Sequence, residues 1–140
     1  MPHTQQLTIV MENRTGAIAE VTQLLADHNI NITQINVDGL EKNGVLHLAV
    51  DQFDKALELL RAKEYQVMPE EVLLVQVDDK PGGLAALAVK LADAKVNVRS
   101  MRIVKRENGH CLCAIVLFEN NVYSYLFVCI ALFFVQMMHH

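Results

Sequence analysis

The chain has no tryptophan, only three prolines and six glycines in 140 residues, and aromatic residues make up just 6% of it. So few chain breakers, with hydrophobic residues at 52%, exclude collagen-like and Pro/Gly-rich disordered classes and indicate a folded globular chain. Positive charge is also scarce: twelve Lys and Arg stand against sixteen Asp and Glu, a formal net charge of −4. Phosphate-backbone binding depends mainly on Lys and Arg, so no nucleic-acid partner is expected. The nearest approach to a basic patch, Arg99, Arg102, Lys105 and Arg106, is spaced along one segment with strand character and reads as a solvated face. The central strands also lack the aromatic rings on which RNA readers stack bases.

Three cysteines, Cys111, Cys113 and Cys129, cannot form a fully paired framework, and the polar opening Met1–Gln6 has no signal-peptide character, so a reducing cytoplasm is expected. Cys111 and Cys113 alternate onto one face of a strand. Buried cysteine behaves as a small hydrophobe, so packing is expected there rather than a metal site, and no cofactor is expected. His3, His28, His47 and His110 are scattered, and no Ser/His/Asp or Cys/His constellation accompanies them. No catalytic residue is assigned and no enzyme is expected. His139 and His140 read as the remnant of an expression tag.

What the chain does contain is a copy of itself. A shift of 66 residues carries Gly16 onto Gly82, Ala19 onto Ala85, Leu25-Ala26-Asp27 onto Leu91-Ala92-Asp93 and Asn31 onto Asn97. Conservative matches fall between them: Asn13 with Asp79, Ile18 with Leu84, Ile32 with Val98, Ile35 with Met101. Each copy opens with an apolar strand, Leu7–Met11 or Val72–Val77, and turns through a glycine into a helix. The spacing of Ile18, Val21, Leu24 and Leu25, and of Leu84, Leu87 and Leu91, lays one apolar stripe along that helix, enough to cover one face of a sheet. The other sheet face is left free for a partner. An alternating strand follows, with Asn31 and Asn97 within it. Asn43-Gly44 and Asn108-Gly109 then predict tight hairpin turns, because both residue types tolerate positive φ. In the first copy Asp54–Arg61 predicts a second helix and Tyr65–Met68 a last strand, with Pro69 separating the modules.

The expected architecture is α+β: two ferredoxin-like βαββαβ modules in tandem, residues 1–69 and 70–140, with antiparallel sheets carrying their helices on one face. That superfold hosts many functions, so function must come from the site. The turns Glu12-Asn13-Arg14-Thr15-Gly16-Ala17-Ile18 and Asp78-Asp79-Lys80-Pro81-Gly82-Gly83-Leu84, each followed by Asn-Ile or Asn-Val after the helix, resemble the signature of ACT domains. The resemblance covers both halves to about Glu119. It implies a small stand-alone tandem ACT protein, non-enzymatic and regulatory, holding an amino acid where two modules meet.

Implied ligand contacts are Asn13, Arg14, Thr15, Gly16, Ala17, Ile18 and Asn31 in the first copy, and Asp79, Lys80, Pro81, Gly82, Gly83, Leu84 and Asn97 in the second. The chemistry suits them: glycine permits close backbone approach, a helix N-terminus suits a carboxylate, and Asn13 or Asp79 can accept from an ammonium. The same residues also suit plain structural ends, with Asn13, Thr15 and Asp79 closing turns or capping helix N-termini and the glycines allowing a tight strand-to-helix turn. A homodimer and an unidentified regulated protein are the expected partners, and an oligomerisation module without ligand is the alternative reading.

One segment departs from the pattern. Val122–Met138 carries no charge where a second module needs a polar-faced helix and a closing strand. It falls short of the roughly 20 apolar residues of a membrane-spanning helix. Packing within the second module or at a subunit interface is expected instead, or an altered C-terminus, and a membrane is not an expected partner.

Overall fold

The computed structural model describes residues 3–118. They fold as β1 His3–Glu12, α1 Ala17–Asp27, β2 Ile32–Leu40, β3 Asn43–Val50, α2 Phe53–Ala62, β4 Gln66–Asp78, α3 Gly83–Asp93, β5 Val98–Glu107 and β6 His110–Leu117. Two compact units result: Gln5–Glu70, and the described residues from Glu71 onward together with residues 3 and 4. The expected α+β class and antiparallel strand pairing are what the chain adopts.

In the first unit β3 lies between β2 and β1, and the opening residues of β4 lie beside β1. Strand alternation sends Leu7 and Ile9 to the helix side, paired with Leu48 and Leu46 across the ladder. Val21 and Leu25 of α1 and Ala56 and Leu60 of α2, each pair four residues apart, close over them without measurable exposure. Each such leucine, once buried, contributes about 1.5–3 kcal/mol.

The opposite face of this sheet, expected to be free, is buried at its centre by polar groups. Gln6, Thr8 and Glu70 are all less than a tenth exposed. Thr8 Oγ1 donates to the Glu70 carboxylate and sits 2.9 Å from His47 Nδ1. The Gln6 side-chain amide nitrogen lies 3.4 Å from the same His47 Nδ1.

The second unit repeats the path with β4, β6 and β5 side by side. Leu73 and Val75 pair with Ile115 and Cys113, and Leu87 and Leu91 of α3 cover them. Cys111 and Cys113 are core residues, as the alternation predicts. The second helix and closing strand expected of this module, and all of Val122–Met138, lie outside the described residues.

Three expectations need correction. The first hairpin turns at Glu41-Lys42, not Asn43-Gly44, which are the opening residues of β3 and pair with Glu12 and Met11. Glu41 takes the positive φ, 53°. Pro69 does not end a strand, because β4 runs through it from Gln66 to Asp78; proline is admitted in a strand wherever the ladder needs no donor. Asn31 and Asn97 stand just ahead of β2 and β5 rather than within them. The second hairpin turns as predicted, at Asn108 (φ 54°) and Gly109 (φ 78°).

Candidate functional site

Both strand-to-helix turns are built on a left-handed glycine. Gly16 caps α1 at φ 87° and Gly82 caps α3 at φ 89°, and neither helix has a side-chain capping bond. A Cβ at either glycine would meet nothing within 4 Å, so the requirement for glycine is conformational rather than spatial. Asn13, Thr15 and Asp79 therefore do not cap the helices, which corrects the capping half of their plain structural reading and leaves turn closure.

Asn13 and Asp79 instead tie each turn to the neighbouring hairpin. The Asn13 backbone N–H donates to Lys42 O at 2.8 Å, and the Asp79 N–H donates to Gly109 O at 2.9 Å. The Asn13 side-chain amide adds a bond to Glu41 O at 3.2 Å, leaving its Oδ1 to accept from a ligand. The Asp79 carboxylate lies 4.0 Å from Arg106 Nε. The first-turn N–H groups of a helix have no intrahelical acceptor, and Ala17 and Gly83 turn theirs back onto Arg14 O and Lys80 O. The helix ends beyond them, at Ile18 and Leu84, are exposed at 42% and 40%. Two apolar side chains in solvent beside two open helix ends make matched surfaces.

Arg14 is committed elsewhere, since its guanidinium bonds the Glu20 carboxylate, which holds Arg14 above its ordinary pKa. Lys80 Nζ lies 3.6 Å from Asp78, whose other oxygen lies 3.5 Å from His110 Nδ1. Pro81 and Thr15 are exposed in the turns. Gly83 is set apart from its counterpart Ala17: a Cβ on Gly83 would stand 2.2 Å from Asp78 O, so the second turn is wound more tightly than the first.

Asn31 and Asn97 do not join these turns within their own units. Asn31 exchanges bonds with Asp51 at the far end of the sheet, its N–H reaching the Asp51 carboxylate and its carbonyl accepting the Asp51 N–H. The whole of β2, nine residues or about 30 Å at strand rise, separates it from the hairpin that holds Asn13. Asn97 O likewise accepts from Phe118 N–H.

A cavity of about 280 Å³ opens in the first unit between the end of β1, the start of α1 and the turn joining α2 to β4. Val10, Met11 and Ala17 line it with carbon, while Glu12, Arg14, Glu64 and Tyr65 supply its polar groups. The sequence reading missed the contribution of Glu64 and Tyr65, because nothing local marks a helix-to-strand turn as the wall of a cavity. Among the described residues no group of three or more His, Cys, Asp or Glu is placed to hold a metal, and no helix is long and apolar enough to cross a membrane.

A βαββαβ module whose first strand enters its helix through a left-handed glycine places the first unit among ferredoxin-like domains of the ACT type. Residues 6–64, within the first unit, match the ACT domain. Protein BT0572 from Bacteroides thetaiotaomicron is similar in structure with a TM-score of 0.71 and 27% identity, over 90% of this chain and 85% of that one. The regulatory subunits of aspartate kinase from Thermus thermophilus, in a ligand-free form, and from Thermus flavus give TM-scores of 0.55 and 0.56, each at 18% identity. They cover 94% and 93% of this chain and 93% and 92% of their own, which shows a shared fold over both halves. No curated protein matches the chain.

Proposed function

We propose that the chain is a non-enzymatic regulatory protein that binds a small amino acid at its Asn13–Ile18 and Asp79–Leu84 turns, between ACT modules, and passes the occupancy to a protein partner. The observation that carries this is the matched pair of turns, each with a left-handed glycine at a helix end that no side chain caps. An uncapped N-terminus offers N–H donors and the positive end of the helix dipole to a carboxylate. Asn13 Oδ1 and the Asp79 carboxylate can receive the ammonium group. Two aspartate kinase regulatory subunits share the fold, which supports a regulatory reading over a catalytic one. The working form on this proposal is a cytoplasmic homodimer. Ligand occupancy changes its packing only as far as the ligand prefers one state.

A thermal-shift screen of the purified chain against the twenty amino acids tests this. A ligand at 100 times its Kd adds about 2.7 kcal/mol to the folded state. The expected outcome is a selective rise in Tm that Gly82→Leu or Asn13→Ala abolishes. If none of the twenty moves Tm, the amino-acid reading falls. An oligomerisation module then takes its place, favoured by Ile35 and Val37, which stand about half exposed on the outermost strand β2.

A further inference from the structure

The sheet face of the second unit that α3 does not cover is buried all the same. Strand alternation turns Val72 of β4 and Ala114 and Val116 of β6 away from α3, and they are only 2%, 1% and 0% exposed, with Leu74 and Val104 packed beside them. An apolar sheet face is buried only against another layer, and this burial is complete within one chain, so the layer belongs to the chain. The apolar stripes of the described helices are committed elsewhere: α1 and α2 to the core of the first unit, α3 to Leu73, Val75 and Ile115. We propose that the charge-free segment Val122–Met138 is that layer, folded back over Val72, Ala114 and Val116.

Reach and polarity both favour this. The strand β6 ends at Leu117, and the four residues between it and Val122 span up to about 14 Å when extended, more than the roughly 10 Å between packed layers. A covering segment with Asp, Glu, Lys or Arg would strand charge against this face, and Val122–Met138 has none of them. Left in solvent, the same segment would add a larger apolar surface than a folded chain ordinarily exposes. One contact buries both surfaces. The face is thereby closed from within, and a partner of the second unit is left the outer strand β5 and the exposed side of α3 to dock on.

Nuclear Overhauser contacts between methyl and ring protons test this in the full chain without any substitution. Among its described residues the second unit has one aromatic ring, Phe118, whereas the segment holds Tyr123, Tyr125, Phe127, Phe133 and Phe134. In a methyl-labelled sample, the methyls of Val72, Ala114 and Val116 are expected to show contacts to rings of the segment. In a second sample, methyl-labelled chains with deuterated rings are refolded together with unlabelled chains, so that only contacts between copies give a signal, and none is expected. The proposal is overturned if no ring of the segment reaches these methyls. It is equally overturned if the rings reach only the α3 side, at Leu73 and Ile115, or if the contacts appear in the mixed sample, which would put a second copy's segment on the face. No ligand enters the measurement, so its result stands apart from the outcome of the amino-acid screen at the turns.

Discussion

Where the first unit fills the sheet face away from its helices with Gln6, Thr8, His47 and Glu70, the second fills the same face with Val72, Ala114 and Val116. On the helix-facing side the two units agree almost residue for residue: Leu7, Ile9, Val21, Leu25 and Leu48 have Leu73, Val75, Leu87, Leu91 and Ile115 as their counterparts. The helix-facing side is dictated by each module's own core, whose volume must be filled from within. Among the described residues the opposite side packs against no helix of its own module, so one copy can hold a hydrogen-bonded polar set and the other an apolar one, provided each is internally satisfied.

The largest test of this comparison is Leu25→Ala against Leu91→Ala. Both side chains are buried at equivalent helix positions, so each truncation is expected to cost about 2–5 kcal/mol in urea denaturation. A small loss at one site alone would show that the cores are not equivalent. The next contrast is alkaline. The second unit holds Cys113 where the first holds Leu46, and burial, reinforced by Cys111, pushes the Cys113 thiol from its ordinary 9.0 up to about 11. A raised folded-state pKa means a contribution fully present below about 9 and lost as pH rises through about 11. Cys113→Val is expected to flatten the stability profile over that window relative to the parent, and an unchanged slope would sink the assignment.

Smaller effects separate the two turns and the two hairpins. Gly83→Ala drives a methyl into Asp78 O and is expected to cost about 1–3 kcal/mol, whereas the reverse change at its counterpart, Ala17→Gly, costs about 1 kcal/mol from helix propensity. Smaller still, Gly109→Ala strains a residue at φ 78° and is expected to cost about 1 kcal/mol, while Gly44→Ala, in a strand with its nearest neighbour 3.9 Å away, stays within about 0.5 kcal/mol. Equal losses at Gly44 and Gly109 would overturn the placement of the first hairpin turn.

That last pair shows why one dipeptide was legible and its twin was not. Asn108-Gly109 and Asn43-Gly44 carry the same local signal, but the repeat offset changes along the chain. The shift of 66 that carries Glu12 onto Asp78 becomes 67 by the next strand, where their partners Asn43 and His110 correspond. The extra residue is accommodated at the irregularity between Ile103 and Lys105 in β5, which skips Val104 out of register. Asn43-Gly44 therefore corresponds to His110-Cys111, inside a strand, and Glu41-Lys42 makes the turn. Asn31 and Asn97 were placed in strands on the strength of their apolar neighbours. Their carbonyls accept instead from Asp51 and Phe118, which the sequence separates from them by about twenty residues each.

The apolar periodicities determined the element order, the helix-facing core and the two glycine turns without help from the fold, because spacings of two, three and four residues act within a single element. Tertiary structure alone decided which residues turn the first hairpin, that Gly83 stands against Asp78 O, that Asn31 is a strand's length from Asn13, and that Glu64 and Tyr65 meet Glu12 around a cavity. Each of these depends on ladder register and on backbone approach between distant segments, and a single bulged residue moves both while leaving the local pattern intact.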